Sequence, residues 1–256
     1  MAISRLQMKE NYNLNRTVMK NQKSFSQLIE QVARKNSIAT VFSDFLEMSA
    51  CALSMGMQEE RYHEIVRRYE KPDAYRMAEA FAVMVDEMDN AGQGLHDMLG
   101  DFFMEHISHG HNGQFFTPEP ICELMARITI GEIVPGQKIQ DCAVGSGRTL
   151  LAAAKINRGA LFFGADVDRN CCLMCLINLC LNGLCGEVAW MNSLSNQFYG
   201  AWRIDLHPLY RTPYIRQITE DECYQLLRLP VKPEKETEPL PVVVLNNIEA
   251  VQGTLF

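Results

Sequence analysis

The sequence lacks the features of a membrane-spanning or exported protein. It has no run of about 18 apolar residues, the length that a helix needs to span a bilayer. Its first residues, MAISRLQMKENYN, are polar and carry no apolar signal-peptide core, so we expect a cytoplasmic chain. Four of the nine cysteines fall within one apolar helical pattern, at Cys171, Cys172, Cys175 and Cys180. Without an export signal, we expect these thiols to be reduced.

The chain also lacks an excess of positive charge. Its net charge is −7, distributed as +5 over residues 1–35, −9 over residues 36–112 and −3 over the remainder. Because phosphate contacts supply much of the affinity of a protein for DNA, the acidic middle argues against tight, independent DNA binding. The basic N-terminal segment can contact phosphates; a solvated helix face is the alternative interpretation.

The first part of the chain has the pattern of a helical domain, which we predict over residues 1–112. Apolar residues recur at helical intervals from about residue 24 to residue 110, with no strand pattern among them. In SFSQLIEQVARK, Ser24 is placed as a capping residue, and the apolar residues after it share one helix face.

From Gly113 onward, predicted strands alternate with predicted helices. The strands are KIQDCA, ALFFGAD and GEVAW, and the helices between them are RTLLAAAKIN and DRNCCLMCLINLCLNG. This alternation predicts a parallel α/β sheet. We assign residues 113–230 to this domain, and residues 231–256 to a charged, proline-rich linker, one strand (VVVL) and a tail.

A further helix precedes the first of these strands, in GQFFTPEPICELMARIT. Thr117 is placed as its N-cap and Pro118 at its first helical position. Its apolar face, read from the helical spacing, consists of Ile121, Leu124, Met125 and Ile128.

The loop DCAVGSG, residues 141–147, follows the first predicted strand. Gly145 and Gly147 permit a tight turn and a close approach of the backbone to a ligand. Asp166 stands 19 residues after Gly147, at the end of the next strand, where an acid can bind ribose hydroxyls. We expect the loop to lie where the strand order of the sheet reverses. The combination favours a nucleotide-like ligand; a strand-to-helix turn with glycines for packing is the alternative.

NAD and S-adenosylmethionine are the main candidates for this ligand. A dinucleotide fingerprint has a third glycine, and Leu150 occupies that position, which counts against a pyrophosphate. A phosphate-binding Walker loop has a lysine after its glycines, and GSGRTL lacks it.

Four motifs in order resemble one protein family. GQFFTP, then DCAVGSG, then GADVD, then NSL closely resemble the adenine-N6 DNA methyltransferases of the type I restriction-modification kind. The resemblance covers about residues 75–195 and extends to the helical N-terminal region. It implies S-adenosylmethionine as the cofactor and a DNA adenine as the methyl acceptor.

The resemblance also implies roles for the matching residues around the methionine part of the cofactor. Phe116, Thr117 and Pro118 would form the wall of the pocket there. The glycine loop would contact the methionine end and the sulfonium region through Asp141, Ala143, Gly145, Ser146 and Gly147.

Three more residues match the family near the nucleoside part of the cofactor. Asp166 would bind the ribose hydroxyls, and Val167 would pack on the adenine ring. Asn192 replaces the usual aspartate that meets the adenine amino group, and its side-chain carbonyl can accept the same hydrogen bond.

The family's catalytic motif, Asn/Asp-Pro-Pro-Phe/Tyr, is absent, because the chain contains no Pro-Pro dipeptide. In the family, the Asn/Asp oxygen and the first proline carbonyl accept the two hydrogens of the adenine amino group. The aromatic residue stacks on the flipped base. Two weak remnants exist: IDLHPLY (204–210), with Leu206-His207 where Asn-Pro is expected, and VVVLNN (242–247), where Asn246 follows a strand pattern. The residues after the latter are too few for the three further strands that we expect of a complete sheet.

We therefore predict an α/β fold: a Rossmann-like S-adenosylmethionine-dependent methyltransferase sheet, truncated at its C-terminal side, with an all-α N-terminal domain. The leading function is that of an S-adenosylmethionine-binding, adenine-N6 DNA methyltransferase-like protein of a restriction-modification or DNA-modification system. The alternative is a catalytically silent homologue that acts as a structural or regulatory subunit, and a small-molecule methyltransferase is a third possibility. We expect DNA as a partner, together with a partner subunit.

Two remaining motifs have weaker interpretations. HISHGH contains His106, His109 and His111 at a spacing that suits zinc, but no cysteine accompanies them closely, so we interpret a polar loop and expect no metal. The final residues, QGTLF, resemble the peptide by which bacterial DNA-processing proteins bind the sliding clamp, with matches at Gln252, Leu255 and Phe256. Packing of the last two side chains onto the protein's own core is the alternative.

Overall fold

The structure is a computed structural model that describes residues 23–108, 114–134 and 136–226. Its α-helices are α1 (Phe25–Val32), α2 (Ile38–Ala52), α3 (Glu59–Val66), α4 (Lys71–Asp89), α5 (Met98–Phe103), α6 (Glu119–Thr129), α7 (Arg148–Ile156) and α8 (Arg169–Leu181), and a 3₁₀ helix (Asn90–Gly92) and a π-helix (Met104–Ser108) flank α5. Its strands are β1 (Lys138–Asp141), β2 (Leu161–Asp166), β3 (Gly186–Asn192), β4 (Gln197–Leu206) and β5 (Pro213–Ile218). None of the described helices combines the length and apolar character that crossing a membrane requires.

The first helix forms as its sequence predicts. The Ser24 side chain accepts a hydrogen bond from the Gln27 backbone N–H, and the Gln27 side chain accepts one from the Ser24 backbone N–H. This reciprocal pair satisfies two amide donors that a helix start otherwise leaves unpaired. The apolar face is buried at Phe25, Leu28, Ile29 and Val32. The predicted capping residue and core face of α1 are therefore confirmed.

All regular elements described between residues 25 and 108 are helical. α1, α2, α4 and α5 contribute buried side chains to the same hydrophobic core that reaches α8 and the sheet. The predicted boundary between a helical domain and the following domain lies within residues 109–113, outside the described residues. That boundary stays a prediction, as does the linker-and-tail segment 231–256, which also lies outside them.

The five strands form one sheet in the order β1-β2-β3-β4-β5. β1, β2 and β3 run parallel, as the alternation of strands and helices predicts. β4 and β5 run antiparallel to their neighbours, so the prediction of a parallel sheet is wrong for this half. Neither strand was predicted, because β4 contains Gly200 and β5 begins with Pro213, and both residue types are depleted in strands.

β1 is an edge strand among the described strands. Within residues 136–226, the strands lie across the sheet in the same order as they occur along the chain. A reversal of this order at the glycine loop would need another strand on the free side of β1. The expectation that the glycine loop lies at such a reversal is therefore not met by the described strands. The loop instead follows the edge strand.

α8 is the central helix of the structure. Every residue from Cys171 to Cys180 is buried, because α8 packs on the sheet and is covered by α2 and α5. All nine cysteines of the chain are unpaired thiols. Burial raises the pKa of Cys172 and Cys175 far above the usual thiol value, which keeps both neutral and unreactive.

The start of α6 differs from its prediction by one residue. Pro118 has an extended backbone (φ −57°, ψ 141°), so the helical conformation begins at Glu119 and Pro118 is the N-cap. No side chain caps the helix. The predictions of Thr117 as N-cap and Pro118 as first helical residue are therefore wrong.

The apolar face of α6 is exposed to solvent. Its side chains range from 47% exposed at Ile121 to 73% at Ile128. The helix packs against α7 through two small residues, Cys122 and Ala126, which are buried. Helical spacing therefore locates the apolar face correctly, but spacing does not tell whether another element covers it.

Candidate functional site

The glycine loop connects β1 to α7 and lies against the end of β2. The Val144 backbone N–H donates to the carbonyl of Ala165 at 2.9 Å. The Gly145 backbone N–H donates to Oδ2 of Asp166, also at 2.9 Å. The two features that the sequence predicts to act together, the loop and the acid, are thus directly hydrogen-bonded.

Both loop glycines have left-handed backbone conformations, with φ of +55° at Gly145 and +91° at Gly147. A Cβ on Gly145 would stand 3.0 Å from the ring of Phe116. A Cβ on Gly147 would stand 2.9 Å from Sγ of Cys175 on α8. Glycine is needed here for conformation and for close packing alike.

The segment before α6 reaches the same loop. The ring of Phe116 packs on Gly145 and stacks on Phe103 of α5, with ring centroids 5.4 Å apart and planes at 19°. Thr117 is half-buried beside it, and Pro118 is exposed. The structure therefore brings the FFTP segment and the glycine loop together, as their predicted roles require.

Asp166 retains capacity to bind further donors. Oδ2 accepts the Gly145 N–H, and Oδ1 accepts the backbone N–H of Asp168 at 2.9 Å. An ionised carboxylate has about four acceptor positions, so each oxygen keeps about one for a ligand. Burial raises the pKa of Asp166, and the negative charge of Asp168 raises it further, while the backbone donors act to lower it.

An exposed apolar surface adjoins this acid. Val167 is 60% exposed, and its carbonyl accepts the indole N–H of Trp190 at 2.9 Å. The Trp190 ring in turn contacts Tyr199, with ring centroids 5.3 Å apart. Val167 is therefore available to pack on a flat ring next to Asp166.

The other loop residues differ in accessibility. Asp141 accepts the Ala143 backbone N–H at 3.0 Å and the hydroxyl of Thr149, while Ala143 itself is exposed. Ser146 is only 1% exposed, and its hydroxyl donates to Asp97 at 2.5 Å. In this conformation the Ser146 side chain faces the protein interior, which does not favour its predicted contact with a cofactor.

The turn after β3 lies beside the glycine loop, because the Ser193 hydroxyl donates to the carbonyl of Cys142 at 2.7 Å. Asn192 begins this turn. Its side-chain oxygen accepts the backbone N–H groups of Leu194 and Ser195 at 3.0 and 3.2 Å. These two bonds use the acceptor capacity of the amide oxygen, which leaves the amide NH2 for a ligand.

Asp97 was not singled out from the sequence, although it touches the glycine loop from α5. Its carboxylate is buried and meets both Ser146 and Arg148, the first residue of α7. The N-cap position of Asp97, with its carboxylate on the Gly100 N–H, gives it a sequence signal as a helix cap. No sequence pattern, however, predicts that the same carboxylate also contacts a loop about fifty residues further along the chain.

The remnant IDLHPLY lies far from this site. Asp166 pairs with Trp190 in the later half of β3, whereas Ile204 on β4 pairs with Gly186, the first residue of β3. The residues after Ile204 lead further from Asp166, into the turn before β5. Leu206-His207 therefore lie at the opposite end of the strands from Asp166. The possibility that this segment supplies a catalytic motif at the site is wrong.

Other predicted features fall outside the described residues, namely His109, His111, Asn246, Gln252, Leu255 and Phe256. Within the described ranges, no three His, Cys, Asp or Glu side chains are grouped so as to hold a metal ion.

Comparisons with known proteins identify the relatives of this chain. The model of the N-6 DNA methylase family matches residues 95–222, which include the loop, Asp166 and Asn192. The type I restriction enzyme MpnII methylase subunit of Mycoplasma pneumoniae (strain ATCC 29342 / M129 / Subtype 1) is 31% identical over 109 residues, which cover 38% of this chain and 20% of that protein.

A solved structure is also similar in part. It is the type I restriction-modification system methyltransferase subunit from Streptococcus thermophilus, with 22% identity over 68% of this chain and 41% of that one. The TM-score of 0.34 is too low to establish a shared fold. This chain thus spans less than half of the length of either relative.

Proposed function

Because the chain belongs to the N-6 DNA methylase family, we propose that its glycine loop and Asp166 bind S-adenosylmethionine for DNA adenine modification. The observation that carries this proposal is the hydrogen bond between the Gly145 N–H and Oδ2 of Asp166. The loop backbone, which can approach a ligand closely, therefore lies beside the carboxylate that we assign to the ribose hydroxyls. A Rossmann-like methyltransferase sheet with a helical N-terminal domain is the fold that we propose for this family member.

The described residues fit the parts of this cofactor. Asp166 keeps free acceptor capacity for two hydroxyls, and exposed Val167 offers an apolar surface for the adenine ring. We assign the methionine end to the loop, with Asp141 and the exposed Ala143 nearest solvent, and to Phe116 across from Gly145. When bound, S-adenosylmethionine supplies an electrophilic methyl group on its sulfonium.

Titration calorimetry with S-adenosylmethionine tests the proposed binding. We expect saturable binding of one cofactor per chain, competed by the demethylated product S-adenosylhomocysteine. A matched control is the ligand adenosine diphosphate, because the position of Leu150 disfavours a pyrophosphate. No heat of binding at millimolar S-adenosylmethionine, or tighter binding of the diphosphate, would contradict the proposal.

We further propose that this chain alone transfers methyl groups to DNA very slowly or not at all, and acts with a partner subunit. The sequence contains no Pro-Pro dipeptide, and the one remnant that the structure describes lies at the wrong end of the strands. Without acceptors for both hydrogens of the adenine amino group, its delocalised lone pair remains a poor nucleophile. The protein is then a cofactor-binding, catalytically silent component.

Transfer of radiolabelled methyl groups to plasmid DNA decides between an active and a silent protein. The assay is run with the pure chain and with candidate partner subunits added. We expect label in DNA only in the presence of a partner. Robust labelling of adenine by the pure chain would refute catalytic silence while leaving cofactor binding intact.

A further inference from the structure

We infer that Asp97, on the helical side of the structure, is a positioning residue that holds the glycine loop in its cofactor-binding conformation. This inference rests on the proposed function, since it assigns a cause to the affinity of the loop for S-adenosylmethionine. Asp97 lies outside the loop and outside the four motifs GQFFTP, DCAVGSG, GADVD and NSL.

The carboxylate of Asp97 accepts four hydrogen bonds, which is its full capacity. Oδ1 accepts the Gly100 backbone N–H at 3.0 Å and the side-chain N–H of Asn178 at 2.8 Å. Oδ2 accepts the Ser146 hydroxyl at 2.5 Å and Nε of Arg148 at 2.9 Å. One side chain thereby connects α5, the glycine loop, α7 and α8.

The surroundings of this carboxylate exclude solvent. Asp97 is 5% exposed, Ser146 1% and Asn178 is fully buried. A hydrogen bond to a buried charge is costly to lose, because no water takes the vacated position. Asn178 also donates to the carbonyl of Ser146 at 2.8 Å, so the loop is held at its backbone as well as its side chain.

Gly100 shows how closely α5 approaches the loop. A Cβ at this position would stand 2.1 Å from Oδ2 of Asp97 and 2.6 Å from Oγ of Ser146. Only glycine leaves room for the carboxylate to lie between the helix and the loop. Ser146 follows Gly145, whose N–H binds Asp166, so a shift of Ser146 also moves the backbone beside the ribose-binding acid.

Asp97→Asn is the first test. The asparagine keeps the size of the side chain, but its amide NH2 would face the N–H donor of Arg148 or of Asn178, so at least one hydrogen bond is lost. The first readout is amide hydrogen exchange in the cofactor-free protein. We expect exchange in residues 143–147 to become at least about tenfold faster relative to α1, since about tenfold corresponds to one lost hydrogen bond. The second readout is the Kd for S-adenosylmethionine, which we expect to rise by about tenfold or more.

Asp44→Asn is the matched control. Asp44 is another buried carboxylate of the helical region, bonded to Arg68 and the Tyr69 hydroxyl at 2.8 Å each and to no loop residue. We expect this variant to lose stability without faster exchange in the loop and without a change in Kd. Gly100→Ala is the second test variant, because its Cβ would push the loop away from Asp97 while the charge of Asp97 remains. It serves as the test if Asp97→Asn does not fold.

Three outcomes would overturn the inference: unchanged loop exchange in a folded test variant, equal acceleration of exchange throughout the chain, or faster loop exchange with an unchanged Kd. If the wild-type protein binds no S-adenosylmethionine, the proposed function fails and the affinity part of the inference fails with it. The exchange measurement needs no cofactor, so it separately decides whether Asp97 holds the loop.

Discussion

Replacing Asp166 by alanine is expected to weaken S-adenosylmethionine binding by about two orders of magnitude. The two free acceptor positions of the carboxylate match the two ribose hydroxyls, and a hydrogen bond to a charged acceptor contributes about 1.5–3 kcal/mol. The site is only half-buried, so water replaces part of what is lost. We therefore take the lower end, about 3 kcal/mol for both bonds, which corresponds to about 100-fold in Kd.

The same residue predicts a pH dependence of binding. The ionised carboxylate is the acceptor, so affinity is full above the pKa of Asp166 and falls as the pH drops through it. Because burial raises this pKa, the loss begins at a higher pH than for an ordinary aspartate. Calorimetric titrations at a series of pH values measure it, and in Asp166→Ala the contribution of this group disappears.

Asp205→Ala is the matched control for the Asp166 experiment. Asp205 is a half-buried aspartate on β4, at the opposite end of the strands, where it lies 3.6 Å from Arg216. We expect its replacement to leave Kd and its pH dependence unchanged. Equal affinities of the wild type and Asp166→Ala would remove Asp166 from the site and refute the reasoning.

Further predictions concern stability and the C-terminal tail. Ser24→Ala is expected to lower the free energy of unfolding by about 1 kcal/mol in denaturant titrations, because it removes the cap of α1; no change would contradict the capping box. Leu124→Ser on the exposed face of α6 is expected to change the free energy of unfolding by less than about 0.5 kcal/mol, whereas Leu28→Ala in the core is expected to lower it by about 2–5 kcal/mol. A large loss at Leu124 would show that its face is covered in solution. A labelled 247–256 peptide tests the clamp-docking hypothesis: if the hypothesis holds, the peptide binds a bacterial sliding clamp with micromolar affinity at best, and equal binding by a peptide with alanine for both final apolar residues ends the hypothesis.

The sequence predicts those parts of the molecule that depend on local spacing. α1 follows from its cap and its apolar period, and the parallel strands β1 to β3 follow from their alternation with helices. β4 and β5 were not predicted, because a glycine within β4 and a proline at the start of β5 weaken the strand pattern. The solvent exposure of the apolar face of α6 could not be predicted either, because the spacing of apolar residues along a helix does not tell whether another element covers them.

The candidate site divides in the same way. Proximity of the glycine loop, Phe116 and Asp166 could be predicted, because these residues follow one another in recognisable motifs. The contact between Asp97 and Ser146 could not be predicted, because it depends on how α5 packs against the loop. Long-range contacts of this kind follow from tertiary packing and leave no trace in local sequence patterns.

Binding of S-adenosylmethionine at the glycine loop is the central claim, and amide chemical-shift mapping tests it most directly. The protein is labelled with nitrogen-15 and titrated with the cofactor, and the affected amides are assigned. We predict saturable shifts at Gly145, Gly147 and Val167, with none at Tyr210 in the turn at the opposite end of the strands. Absence of saturable shifts at millimolar cofactor, or shifts confined to residues away from the loop and Asp166, would contradict the claim.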